Sequence, residues 1–181
     1  MGAYINLGFI SNKDKFIYKI IHFINTLNEF NVISFKYPTD ENYSSWIECE
    51  NRNCAIYEAL KHCYKYHMAE IKCNFKIQDF SLHNILLRIK HIGTTKECLL
   101  FEIPEENPIF KNLDVAENTI ILFLKSLSNM KFESAFCDID ADILENDSEY
   151  MENFYSIFIK YGIKTKVYLN QWKIDGLTDR T

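Results

Sequence analysis

One segment, from Ile71 to Ile77, constrains the fold more than any other part of the chain, because apolar and polar residues alternate strictly along it. Side chains along a β-strand point alternately to the two faces of a sheet, so the segment predicts a strand with one buried and one solvated face. Ile85–Ile92 and Cys98–Ile103 predict its neighbours, with a turn at Gly93-Thr94-Thr95. A solvated sheet face is typical of antiparallel pairing, so these strands are predicted to form an antiparallel meander.

Four helices are predicted to accompany these strands. Two of them begin at capping-box patterns, in which a polar residue is followed three positions later by an acid: Ser11 with Asp14, and Asp114 with Glu117. Apolar residues at helical spacing extend these helices to about Glu29 and about Asn129. The other two predicted helices cover Arg52–Tyr66 and the stretch from Asp147 or Ser148, through Phe154 and Phe158, to Gly162.

The remaining strands complete a prediction of the fold class. They are Tyr4–Ile10, Val32–Phe35, Glu133–Ile143 and Ile163–Leu169, and the loop at Tyr37–Asn53 leaves room for a short edge strand around Trp46. With five Gly and three Pro the chain shows no linker, so one α+β domain over residues 1–181 is predicted, with a polar tail from about 173. Its sheet should be mixed, mainly antiparallel, of about six to seven strands with about four helices, and should begin with a strand–helix–strand unit.

Several function classes find no support in the sequence. Apolar runs are much shorter than the ~20 residues that span a bilayer, and the first residues lack a signal-peptide pattern, so we expect a cytoplasmic protein with six reduced cysteines. There is no phosphate-binding glycine loop and no nucleophile elbow, so we expect neither an enzyme nor a cofactor. The following residues cluster in sequence without the paired spacing of a zinc site: Cys49, Cys54, His62, Cys63 and His67.

Acidic residues concentrate in the second half of the chain. Residues 1–96 carry a net charge of +3 and residues 97–181 a net charge of −8, and the stretch from Phe132 to Ile159 has eight acids and no Lys or Arg. A charged partner is therefore expected to be basic, and direct nucleic-acid binding is not expected. Asp138, Asp140 and Asp142 should share one face of the predicted strand, with Glu145 after them.

Three interpretations of this acidic segment stay open: a solvated face, a surface for a protein partner, or a cation site. The spacing of acids from Asp138 to Glu149 resembles a calcium-binding loop, but Ile143 stands where that loop needs glycine. Tyr43 and Trp46 in the long loop are candidate aromatic anchors of an interface, or a cover for the edge of the core.

Parts of the sequence resemble immunity proteins of bacterial polymorphic-toxin and contact-dependent growth inhibition systems. The resemblance lies in the opening Gly2–Phe9, in Phe101-Glu102-Ile103-Pro104-Glu105-Glu106, and in Ala135–Ile143 after the intervening helix. It implies a small cytoplasmic protein that binds the toxic C-terminal domain of a cognate toxin and blocks its active site or its folding. Many such toxins are nucleases with basic clefts, which an acidic surface would fit.

The leading hypothesis is therefore a toxin-neutralising binding protein. Its predicted contact residues are Asp138, Asp140, Asp142, Glu145, Tyr43 and Trp46. The alternatives are a divalent-cation-binding enzyme or sensor that uses the segment Asp138–Glu149, and a housekeeping interaction module.

Overall fold

The alternating segment Ile71–Ile77 forms part of an inner strand of a large sheet in the computed structural model. The structure describes residues 3–12, 16–50, 57–58, 61–62, 65, 68–92, 94–141, 154–162 and 164–169. The strands are β1 (Tyr4–Asn12), β2 (Asn28–Pro38), β3 (Trp46–Glu50), β4 (Met68–Ile77), β5 (Phe80–Ile92), β6 (Lys96–Pro104), β7 (Ser134–Ile139), β8 (Ile157–Lys160) and β9 (Lys166–Leu169). Helix α1 covers Phe16–Thr26 and helix α2 covers Leu113–Ser126, with 3₁₀ turns at Pro108–Lys111 and Leu127–Met130 on either side of α2.

All nine strands belong to one sheet in the order β3-β2-β4-β5-β6-β1-β7-β8-β9. Every neighbouring pair is antiparallel. The first strand of the chain is an inner strand, since β1 pairs with both β6 and β7. Strands β4, β5 and β6 form the expected meander, and the strand–helix–strand opening is present as β1, α1 and β2.

The predicted count of six to seven strands and four helices is wrong. The described residues form a sheet of nine strands and two α-helices with both ends described, and residues 57–58, 61–62 and 65 are also helical. The helix predicted to run through Phe158 to Gly162 is replaced by β8, in which Ile157 and Ile159 face one core and Phe158 faces another. An unbroken apolar run that is buried on both faces favours a strand. The sequence after Trp172, predicted as a polar tail, lies outside the described residues.

Both predicted capping boxes are also wrong. Ser11 lies in β1, and its hydroxyl accepts a hydrogen bond from Lys19 Nζ rather than capping α1, while Asp14 lies outside the described residues. The cap of α2 is Asn112, whose side-chain oxygen accepts a hydrogen bond from the Val115 backbone N–H at 3.2 Å. Asn is as good a cap as Asp, and Asp114 then lies in the first turn, where the helix dipole favours an acid.

The main core lies between one face of the sheet and the two helices. Ile20, Ile24 and Leu27 of α1 are buried there with Ile120 and Leu124 of α2. Four phenylalanines meet at its centre, with ring centroids 4.9 to 6.0 Å apart where they pair: Phe9, Phe23, Phe101 and Phe132. Full burial of each such side chain stabilises the fold by about 1.5–3 kcal/mol. In the part of the chain that the structure describes, no helix is long and apolar enough to cross a membrane.

The opposite face of the sheet carries a second, smaller apolar cluster to which neither helix contributes. Its centre is Phe136 of β7, whose ring lies directly over Gly8 of the neighbouring strand and stacks on Tyr155 at a centroid distance of 4.0 Å. A Cβ at Gly8 would come within 2.1 Å of the Phe136 ring, so only glycine fits under it. Toward β5 and β4 the same face becomes charged.

Candidate protein-binding surface

The β2–β3 hairpin has a short loop with many internal hydrogen bonds at one edge of the sheet. Asp40 organises this loop by accepting hydrogen bonds from the backbone N–H groups of Asn42, Ser44 and Ser45 and from the Ser44 hydroxyl, all at 2.9 to 3.1 Å. The hydrogen bonds from Ser44 hold the pKa of Asp40 below its usual value. Thr39 N–H closes the loop with a hydrogen bond to Ser45 O at 2.9 Å. The loop is therefore held in one conformation by its own polar groups.

The two aromatic residues predicted as anchors lie together in this hairpin. The indole N–H of Trp46 donates to Tyr43 O at 3.0 Å, and the two rings lie 6.4 Å apart. Tyr43 keeps 43% of its surface exposed and has a φ of 56°, and Ile47 beside it is equally exposed. The aromatic pair is thus fixed before any partner arrives, which reduces the entropy lost on binding.

The hairpin is also acidic. Residues 39–50 contain four acids and no Lys or Arg. Glu48 of β3 accepts a hydrogen bond from the Ser34 hydroxyl at 3.0 Å and lies 3.7 Å from Lys36 Nζ. Strand β3 is the last strand of the described sheet on this side, so these acids and Tyr43 belong to the same edge of the sheet.

The acidic strand predicted over Glu133–Ile143 is shorter than expected. Strand β7 ends at Ile139, and Asp140 has a φ of 44°, so Asp138 and Asp140 do not continue one strand face. The Asp138 carboxylate accepts hydrogen bonds from the Ser156 N–H at 3.1 Å and the Ser156 hydroxyl at 3.0 Å. Asp140 Oδ1 accepts from the Tyr4 N–H at 2.9 Å. Both acids therefore hold the ends of strands, while Asp142 and Glu145 lie outside the described residues.

The cysteines and histidines considered for zinc are only partly described. Cys49 is a half-buried free thiol, and the ring of His62 stacks on Tyr37 at a centroid distance of 3.5 Å. Partial burial lowers the pKa of His62. Cys54, Cys63 and His67 lie outside the described residues. Among the residues that are described, no group of three or more His, Cys, Asp or Glu side chains could hold a metal ion.

Sequence reasoning missed a row of alternating charges on the sheet face that the helices leave open. Arg88 of β5 lies between two carboxylates: its Nε is 2.8 Å from Glu70 Oε1 and its Nη1 is 2.6 Å from Glu102 Oε1. Lys36 and Glu48 continue the row across β2 and β3. The alternation in β4 places Glu70 and Lys72 on this face, but the strand register that brings their partners together is not visible in the sequence.

Comparison with known protein families gives one family model that matches this chain. The family model described as Immunity protein 64 matches residues 1–180. No curated protein matches the chain.

Two solved structures show a distant likeness. One is the toxic C-terminal tip of CdiA from Pseudomonas aeruginosa in complex with immune protein, at 13% identity and a TM-score of 0.43, over 77% of this chain and 88% of that one. The other is the Pseudomonas aeruginosa T6SS protein PA0821, at 12% identity and a TM-score of 0.37, over 84% of this chain and 48% of that one.

Proposed function

Because the chain belongs to the Immunity protein 64 family, we propose that it neutralises a cognate bacterial toxin domain in the cytoplasm by stoichiometric binding, without catalysis. The match of the family model over residues 1–180 is the observation that carries this proposal. The toxin domain would be the C-terminal part of a larger secreted protein, as the resemblance of the sequence implies.

The β2–β3 hairpin is the contact surface that the geometry favours. Aromatic residues that are rigid and exposed contribute most of the binding energy in many interfaces. Tyr43 meets both conditions, since Asp40 fixes its loop and its ring remains open to solvent, and the half-buried Trp46 supports it through the hydrogen bond to Tyr43 O. The same segment, residues 39–50, carries four acids and no Lys or Arg, which suits a basic partner.

A nuclease is the toxin class that fits this charge. Nucleases bind phosphate groups with Lys and Arg, so their clefts are attracted to an acidic surface over long range. Asp140, Asp142 and Glu145 would extend the attraction from the segment after β7. Asp138 would contribute less directly, because Ser156 already donates two hydrogen bonds to its carboxylate.

Growth rescue tests the proposal. The chain is co-expressed with the C-terminal domain of the large secreted protein encoded directly upstream, and survival is scored. We expect rescue by the wild-type chain. Lethality despite expression of the folded chain would refute the immunity function.

Binding of the purified toxin domain then tests the hairpin. Tyr43→Ala is expected to weaken affinity by about 30-fold, the effect of an interface residue worth about 2 kcal/mol. Tyr18→Ala is the matched control, because Tyr18 is 76% exposed on α1 in another part of the molecule. Equal affinities of the two variants, with unchanged melting temperatures, would remove the hairpin from the interface.

A further inference from the structure

A polar cavity of about 250 Å³ lies on the open face of the sheet, apart from the hairpin. It spans β5, β6 and β1, and the residues after β7 close one side. Its lining residues are Tyr4, Asn6, Arg88, Glu102, Asp140 and Ala141. A water molecule needs only about 10–15 Å³ measured in this way, so the cavity can hold a group of several heavy atoms.

Asn6 gives the cavity a buried acceptor that lacks a donor. Only 5% of Asn6 is exposed, and its side-chain N–H donates to Ala141 O at 2.6 Å. Its Oδ1 has no hydrogen-bond partner among the described residues. Leaving a buried carbonyl oxygen unpaired destabilises the fold, so this position is poised for a group that donates a hydrogen bond.

The charges around the cavity select a cation. Arg88 is held between the carboxylates of Glu70 and Glu102, so its charge is more than balanced. Asp140 adds another carboxylate at the rim, and its Oδ1 accepts a hydrogen bond from the Tyr4 N–H. The charged side chains that line the cavity are Arg88, Glu102 and Asp140, and together they carry a net charge of −1, which disfavours an anion and favours a basic group.

We propose that this cavity receives the guanidinium group of an arginine side chain of the toxin domain. The planar guanidinium presents five N–H donors, enough to reach Asn6 Oδ1, Glu102 and Asp140 at once. The ring of Tyr4, which is 42% exposed at the rim, offers a face for stacking against it. This inference rests on the proposed function for the identity of the partner, but the cavity itself can be tested without the toxin.

The first test uses ethylguanidinium chloride as the probe. The chain is titrated at constant ionic strength, and NMR follows the side-chain amide of Asn6 and the backbone amide of Tyr4. We expect saturable shifts at both positions, smaller shifts with ethylammonium, and at least a threefold weaker response in Asp140→Asn. That variant keeps the oxygen that accepts from Tyr4, and asparagine tolerates the positive φ of this position.

The second test measures toxin-domain affinity by calorimetry. Asn6→Leu and Asp140→Asn are each expected to weaken binding about tenfold, the effect of losing one charge-assisted hydrogen bond. Glu29→Gln is the matched control, because Glu29 is also a paired acid, with Lys76, but lies far from the cavity lining. Asn6→Leu removes the unpaired buried acceptor but also the hydrogen bond to Ala141 O, so its affinity is compared only after its melting temperature and its circular dichroism show a folded chain.

The outcomes separate the cavity from the proposed function. Absent or non-saturable shifts with ethylguanidinium, or toxin affinities equal to that of Glu29→Gln, would overturn the cavity assignment. Saturable ethylguanidinium binding without any toxin binding by the wild-type chain would overturn the proposed function and support the cavity as a guanidinium site.

Discussion

Replacing Gly8 by alanine should destabilise the fold far more than a single added methyl group suggests. The new Cβ would lie 2.1 Å from Cε1 and Cζ of Phe136 and 2.7 Å from its Cε2. Carbon atoms in contact prefer a separation of about 3.5–4.0 Å, so the ring must retreat by about 1.4 Å or more. Phe136 is fully buried and stacked on Tyr155, so it has little room to move.

The expected loss follows from two opposing effects. Overpacking a core costs about 1–3 kcal/mol, and complete loss of a phenylalanine's packing costs about 3–5 kcal/mol, which sets an upper bound. Alanine in a strand regains about 0.5–1 kcal/mol relative to glycine, because it has less conformational entropy to lose. We therefore expect Gly8→Ala to lower the free energy of unfolding by about 2 kcal/mol.

Urea unfolding followed by tryptophan fluorescence measures this loss. With a slope of about 2 kcal/mol/M, the midpoint should fall by about 1 M. Gly162→Ala is the control, since its added Cβ would meet nothing within 4 Å, and it should change stability by less than about 0.5 kcal/mol. In the Gly8→Ala background, Phe136→Leu should cost much less than in the wild type. Equal midpoints for the two glycine variants would refute the steric argument.

Three further outcomes are expected. Hydrogen bonds lower the pKa of Asp40, so the ionised carboxylate holds the hairpin loop fully above pH 3.8, its ordinary pKa. This stabilisation of the loop is lost as the pH falls through the lower pKa of the folded state. NMR spectra of the loop amides should show this transition, and Asp40→Asn should abolish it. Burial raises the pKa of Cys73 to about 12 and that of Cys137 well above its usual value. Iodoacetamide at pH 8 should therefore label these two thiols only after the protein is unfolded in urea. Labelling of the native protein would contradict their burial. Calcium or manganese at millimolar concentration should leave the melting temperature unchanged, because Ser156 already donates two hydrogen bonds to the Asp138 carboxylate. A higher melting temperature at micromolar concentration would instead support the cation-binding hypothesis.

Local sequence patterns predicted the elements whose burial repeats regularly. The alternation of Ile71–Ile77 located β4, and apolar spacing located the buried face of α1. The same reasoning failed at Ile157–Lys160, where burial on both faces removes the alternation that identifies a strand. It also misplaced the caps, since Ser11 and Asp114 are each followed three residues later by an acid, whereas the true cap Asn112 is followed by Val115 and does not match the motif.

The candidate site was predictable only as far as its residues are close in sequence. Tyr43 and Trp46 belong to one loop, so both could be proposed as anchors, and the structure places them side by side. The cavity is lined by residues from separate strands and a turn: Asn6, Arg88, Glu102 and Asp140. These residues meet only because of the register in which the strands pair, and no local sequence pattern predicts that register. Ser156, the partner of Asp138, was hidden for the same reason.

The inner position of β1 delays the moment at which the N-terminal strand of a newly made molecule gains both of its neighbours. Tyr4 donates its N–H to a side chain 136 residues later, so the ribosome must add those residues before the N-terminal strand has both neighbours. At about 5–20 residues per second this takes about 7–27 s, and such distant pairings also slow folding itself. For the proposed function, protection would lag behind translation, and a cell would depend on molecules folded before the toxin arrives.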